Sequence, residues 1–217
     1  MPGIFILSLD CEGKWGIADQ LNEIDLIGIP VMPQDTSPES TLLHAVRAAL
    51  KNSTKPLFYS SESAYINQAI IQMAKTINSD IFQRPFLISQ LSPTSPLFWE
   101  KGTIEALYEV CSSGIPLAIL PEPIAGASAP YTLAGLLTIH NAECLSGIVF
   151  SQLIREKTPV MYASSWTVYD MRSNMAVIAT PETNILRIAG AQMAAFYHIP
   201  SHTTAPNSDS HFHDEQN

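Results

Sequence analysis

The sequence predicts an α/β fold built on a parallel sheet, and three observations predict it. Short apolar runs alternate with helix-period segments along most of the chain, joined by short links, a pattern that favours right-handed crossovers between parallel strands. The composition supplies apolar mass for one core: 46% of the 217 residues are hydrophobic and only 14% are charged, at a length that suits one domain. A Gly/Ala/Pro-rich stretch, PEPIAGASAP at 121–130, follows one of the strongest apolar runs, and α/β proteins build their sites from loops at strand C-terminal ends.

The elements follow in order. Residues 4–9 form an apolar run that ends at Asp10, and 24–32 form another, interrupted by Gly28 and Pro30. Residues 37–50 are helical by pattern: Ser37 caps, Pro38 and Glu39 suit a first turn, and Leu42, Leu43, Val46, Ala49 and Leu50 share a face. A strand over 56–60 follows the Asn-Ser-Thr-Lys turn. A helix over 63–77 carries Ile66, Ala69, Ile70, Met73 and Ile77 as one stripe, and a strand over 85–90 comes next. The helix expected over 99–111 is closed by Ser-Ser-Gly, a C-terminal stop. A strand over 116–120, a long helix over 130–155, a strand over 160–163 and a helix over 182–198 complete the series. From residue 201 the chain is polar, with no core pattern of its own.

The count leaves two architectures open. An eight-unit barrel typically needs about 250 residues, and roughly five or six units are legible here. An open doubly wound sheet would be complete at this length, whereas a barrel would lack staves. The segments IGIPVMP at 27–33 and SGIPLAILP at 113–121 echo each other as turn-then-strand entries.

Charge and cysteine content narrow the function classes. The formal net charge is −9, from 20 acids and 11 bases, and no Lys/Arg run stands out, so nucleic acid and anionic membrane surfaces are poor partners. Cys11, Cys111 and Cys144 are sparse, widely spaced and odd in number, which points to reduced thiols and a cytoplasmic location. The start lacks a basic n-region and reads as a strand, not a signal peptide. The apolar stretch 133–150 holds His140, Asn141 and Glu143 and is expected to be a buried helix, not a membrane span.

Six segments carry a family resemblance: DLIGIPVMPQD at 25–35, NSTKPLFYSS at 52–61, RPFLISQLSPTSPL at 84–97, the run from Ser112 through Leu153, TVYDMR at 167–172 and SDSHFHDEQ at 208–216. In this order and spacing they resemble the trimethylamine methyltransferase superfamily over about residues 25–217. The resemblance implies an α/β fold that is a partial TIM (β/α) barrel with parallel strands, incomplete relative to the full eight-unit barrel. It implies transfer of a methyl group from a methylamine or a betaine-like quaternary amine to the cobalt of a separate corrinoid protein. No cofactor would be bound directly; the corrinoid (cobalamin) would sit on the partner. Members are about twice this length, and one branch carries pyrrolysine, of which none is visible here. Where relatives tend to read S-D-S-K-x-P-D, this chain has His211 and His213. The first residues, GIFILSLDCEGKWGIAD at 3–19, resemble instead the opening strand of polysaccharide deacetylases, with Asp10 as the counterpart of a metal-binding acid. The expected organisation is therefore an N-terminal strand segment of other origin (1–21), a methyltransferase-like partial barrel (22–200) and a polar tail (201–217).

Candidate site residues follow from the chemistry. A quaternary ammonium offers no hydrogen bond at nitrogen and is held by aromatic faces and a carboxylate. Tyr131, Tyr162, Trp166 and Phe98 supply aromatics, each of which also suits a core; Trp166 is preferred because it follows a strand end. Glu122 or Asp170 supplies the charge. Gly126 lets backbone approach a ligand, or simply allows tight packing. Asp170 and Arg172 form either a structural pair or a clamp for a substrate carboxylate. Asp209 matches the family motif in the tail. His211, Phe212, His213 and Asp214 offer metal-ligating types at loose spacing, better read as solvated residues. Cys11, between Asp10 and Glu12, is expected to be an inert thiol.

Three functional readings result. The first is a truncated methyltransferase with a small tertiary or quaternary amine and a corrinoid protein as partners. The second is a non-catalytic module that works as a homo-oligomer, because an incomplete barrel leaves strand edges and core face open. The third, a metal-dependent deacetylase, rests on the first residues alone.

Overall fold

The computed structural model describes residues 16–29, 32–81, 83–178 and 180–204. Its first half contains α1 (Thr41–Asn52), β1 (Leu57–Ser60), α2 (Ala64–Ile77), β2 (Leu87–Leu91), α3 (Lys101–Ser113), β3 (Leu117–Ile119) and β4 (Ile124–Ala125). The second contains α4 (Leu133–Ile154), β5 (Val160–Ser164), β6 (Thr167–Asp170), β7 (Met175–Val177), α5 (Pro181–Phe196) and β8 (Ser201–Thr203).

Strand order decides between the two architectures. The main sheet runs β1-β2-β3-β5-β8, every pair parallel, in strict chain order. A doubly wound sheet reverses direction and places helices on both faces. Here α1 to α5 all contribute to one core with one face of the sheet: Val46 from α1, Ile70 from α2, Leu107 from α3, Cys144 from α4 and Ala194 from α5 join Leu57, Tyr59, Leu87, Leu117, Ile119 and Tyr162. Each helix packs on the next in the chain. This is barrel winding, and the fold is a partial TIM-like barrel. The alternation of side chains along each strand leaves Phe58, Ala118, Leu120, Met161 and Ala163 on the opposite, concave face.

Local chemistry accounts for the helix ends. Ser63 caps α2 by accepting the Ile66 N–H, and Thr132 caps α4 by accepting that of Gly135. Thr180 and Thr183 form a reciprocal capping box with Pro181 in the first turn of α5. Gly114, at φ 76°, closes α3 as Ser-Ser-Gly predicts. The helix expected from 37 begins at Thr41 instead, because 37–40 form a turn in which Ser40 N–H and Thr41 Oγ1 donate to the Ser37 carbonyl.

Several expectations are corrected. Of the strand expected over 24–32, the described residues 24–29 and 32 show one parallel bridge, Ile27 to Leu57. At the start of the polar stretch expected from 201, Ser201, His202 and Thr203 pair with Tyr162, Ala163 and Ser164 as β8, and 205–217 lie outside the described residues. The end of the 1–21 segment is joined to the barrel. The Asp19 carboxylate accepts Ser53 Oγ at 2.7 Å and Thr54 N at 2.7 Å, and Lys55 Nζ donates to the Ala18 and Leu21 carbonyls. Helix α4 is long and apolar enough to cross a bilayer by length and composition. One side of it, with His140, Glu143, Cys144 and Gly147, is buried on the sheet, while Val149, Phe150 and Leu153 face outward, so it is a half-buried layer helix.

Candidate active site

The C-terminal ends of the strands carry the longest elaborations. After β3 the chain makes the 121–132 loop; after β5 it makes the β6–β7 hairpin. The two meet as a small second sheet, β4-β6-β7. Its core joins Ala125, Leu136, Trp166 and Leu186, so it sits across the N-terminal ends of α4 and α5. A cleft of about 350 Å³ opens between these pieces. Glu122 and Ile124 line it from the loop after β3, Ser165, Trp166 and Thr167 from the end of β5, Ala176 and Ile178 from the hairpin side, and Thr204 from the end of β8. A second groove of about 300 Å³, between the C-terminal halves of α1 and α2 at Leu50, Lys51, Met73 and Ile77, lies in the helix layer toward the other end of the sheet.

The structure brings some predicted residues together and separates others. Glu122 and Trp166 share the cleft, with Glu122 exposed and Trp166 nearly buried at 3%. Gly126 and Tyr131 meet at the rim: Gly126 has φ 85°, and a Cβ there would lie 2.6 Å from Tyr131 Cδ2. The loop is tightened by Ser128 Oγ, which accepts the Ile124 N–H at 2.9 Å. Tyr131, Phe98 and Leu97 are exposed, giving the strand ends an apolar rim.

Tyr162 does not reach the cleft. Strand alternation turns it to the helix side, where it is fully buried, with Asn141 Oδ1 and His140 Nδ1 each 3.2 Å from its hydroxyl. The Asp170 carboxylate is held in the hairpin turn. It accepts Ser173 Oγ at 2.7 Å and the Arg172 N–H at 3.0 Å, bonds that hold its pKa below the usual carboxylate value, the Ser173 hydroxyl first. Arg172 is exposed beside it, and among the described residues Asp170 takes the backbone of Arg172, not its guanidinium. Asp10, Asp209, His211 and His213 lie outside the described residues. Among the described residues no three His, Cys, Asp or Glu side chains converge as metal ligands. Cys111 and Cys144 are free, buried thiols, both pushed up to about 12 by burial.

Two buried polar residues of α4 organise the site. Glu143 accepts Ser95 Oγ at 2.8 Å and the Leu97 N–H at 2.7 Å, which pins the β2–α3 loop beside the rim. His140, fully buried, places Nε2 3.0 Å from the Ala163 carbonyl and its ring 3.8 Å from the Trp166 ring. Both break the apolar pattern of the helix, a legible signal, but their partners are long-range. Ser165, Thr167 and Thr204 were not singled out from sequence; isolated hydroxyl residues carry no pattern.

A carboxylate and an indole line a cleft at the strand ends of a barrel-wound sheet, and the class is that of a partial α/β barrel. The family model for trimethylamine methyltransferase (MTTB) matches residues 9–217, so the chain belongs to that family. That match begins inside the stretch that resembles deacetylases. Trimethylamine methyltransferase MttB of Desulfitobacterium hafniense (strain DSM 10664 / DCB-2) is 32% identical over 91% of this chain and 40% of its own length. The protein of the same name in Methanosarcina barkeri is 29% identical over 92% of the chain and 41% of its own length. Glycine betaine methyltransferase of D. hafniense (strain Y51) is 32% identical over 87% and 40%. The chain thus spans about two-fifths of the length of these relatives.

Proposed function

We propose that the chain carries the amine-binding part of a methyltransferase that moves a methyl group from a methylamine or betaine-like quaternary amine to a corrinoid protein. The observation that carries this reading is the pairing of Trp166 and Glu122 in one cleft at the C-terminal ends of the strands, in a chain of the trimethylamine methyltransferase family. A methylated nitrogen cation has no N–H to donate. It is held by the face of an aromatic ring and by a diffuse carboxylate field, and Trp166 and Glu122 line this cleft. In such a transfer the carbon–nitrogen bond would break with its electron pair kept by the leaving amine, and the corrinoid of the partner protein would supply the acceptor of the methyl group. This chain's residues bind and orient the amine; the exposed Leu97, Phe98 and Tyr131 give the partner an apolar rim on which to dock.

The same reading covers location and assembly. Buried reduced thiols suit a cytoplasmic protein. Self-association is supported by the outer face of α4, where Ala134, Thr138, Ala142, Val149, Phe150 and Leu153 are exposed without a charge among them, on a chain of net charge −9. The test of function is calorimetric titration with glycine betaine, trimethylamine and tetramethylammonium. Millimolar or tighter binding is expected, weakened about 2- to 30-fold by Trp166→Ala and by Glu122→Gln, the range of a cation–aromatic contact. No binding of any methylated amine, or binding indifferent to both substitutions, would sink the proposal.

A further inference from the structure

We infer that His140 is a positioning residue for the cleft: it fixes the Trp166 ring that forms the cleft wall. The inference rests on the reading of the cleft as an amine site. The indole nitrogen is buried and has no hydrogen-bond partner among the described residues. Among the described residues no polar contact sets the angle of the ring, and packing does so. One support is the His140 ring, at 3.8 Å between centroids and 34° between planes. Another is Gly190 of α5, where an added Cβ would stand 3.1 Å from Trp166 Cζ2. Trp166 thus occupies a slot between α4 and α5, with part of its surface left to the cleft.

His140 is suited to this task because it is itself held from both ends. The Ala163 carbonyl, 3.0 Å away, can only accept, so Nε2 carries the proton. In the neutral ring Nδ1 is then an acceptor, 3.2 Å from the Tyr162 hydroxyl. That hydroxyl has one proton for two acceptors, Nδ1 and Asn141 Oδ1, each at 3.2 Å. Asn141 continues the network to the Tyr197 hydroxyl at 3.0 Å, just beyond α5. Both bonds of the imidazole run to β5, the strand that Trp166 follows, so the ring moves with the strand end. A leucine would fill the space without that tether. A full buried ring with a polar atom at each end explains why a titratable side chain occupies the core here, where burial pushes its pKa down to about 3.

The experiment uses the full chain labelled with ¹⁵N-tryptophan, its Trp166 indole signal assigned by loss in Trp166→Phe. Three variants are compared at a temperature where each stays folded. His140→Gln keeps a donor and removes the ring, His140→Phe keeps a ring and removes both bonds, and Tyr162→Phe deletes one hydroxyl. The Trp166 signal is expected to shift or broaden in all three. The dissociation constant for glycine betaine is expected to rise about five- to tenfold in the two His140 variants, the size of one weakened aromatic contact to a cation. A purely space-filling His140 would lower the melting temperature but leave the affinity unchanged, together with the Trp166 signal of Tyr162→Phe, and that result overturns the inference. If both His140 variants unfold, an unmoved Trp166 signal in Tyr162→Phe overturns it alone. If the wild-type chain binds no glycine betaine, the amine reading fails while the indole signal still decides the positioning role.

Discussion

At the residue scale, the buried titratable groups make a prediction about pH. His140 has its pKa lowered from 6.5 to about 3 by burial, so between those values the unfolded chain binds a proton that the native chain refuses. Stability is therefore full above pH 6.5 and falls as pH drops toward about 3, with a slope near 1.4 kcal/mol per pH unit. His202, stacked on Phe58 and lowered by burial in the same direction, adds to that slope. Urea titrations from pH 7.5 to 4.5 should show the decline, and His140→Phe should flatten most of it; an unchanged slope would mean that His140 is protonated or solvated in the native state. A second prediction concerns Gly190. A Cβ there would stand 2.2 Å from Ser164 Oγ and 2.9 Å from Ser164 Cβ, under the ring of Trp166. Gly190→Ala should cost about 1–3 kcal/mol by overpacking, read from the same titrations, and a neutral result would show that the slot is looser than its geometry. Sequence made His140 and Glu143 conspicuous as polar residues in an apolar helix, but it could not show which carbonyl or loop they meet. The side taken by Tyr162 was equally hidden, because alternation assigns faces only once one residue of the strand has been placed.

At the element scale, the long regular pieces were legible and the short ones were not. The helices over 63–77 and 99–111 lie within two residues of Ala64–Ile77 and Lys101–Ser113, since caps, stripe and terminal glycine agree. The β6–β7 hairpin was missed although its chemistry is visible in hindsight: Asp170 and Asn174 flank a turn between two β-prone runs, with Asn174 at φ 58°. Strands of three or four residues are too short for periodicity to speak, and β8 is wholly polar, so pairing with β5 and not composition makes it a strand. The 121–132 loop yields a prediction at this scale. Gly126 combines a left-handed φ of 85° with a 2.6 Å approach to Tyr131. Gly126→Ala should destabilise by about 1 kcal/mol or more and, because the loop holds Glu122, should weaken amine binding as well. A variant with wild-type stability and affinity would show that the loop relaxes at no cost and does not shape the cleft.

At the scale of the whole molecule, sequence left two windings open because alternation fixes the hand of each crossover but not whether successive strands keep adding on the same side. The answer lies in hydrogen-bond order and in the single face on which the helices gather. The same winding fixes what the outer helices must do. In α4 the sheet side takes the polar residues that make specific bonds, and the outer side is left apolar: Val149 is 54% exposed and Leu153 77% exposed, with Ile188 of neighbouring α5 at 61%. Glu143, the one charge in α4, points inward. A chain of net charge −9 repels its own copies over most of its surface, so a charge-free helix face is where two copies can meet at least electrostatic cost. Light scattering should therefore report a dimer or larger, and Val149→Asp with Leu153→Asp should shift it to the mass of one chain while preserving helix content. These residues lie in the outer layer, far from the strand ends that hold Trp166, so affinity for methylated amines should survive the change. A monomeric wild-type chain would refute the face as a contact between copies, and so would an oligomer untouched by both aspartates.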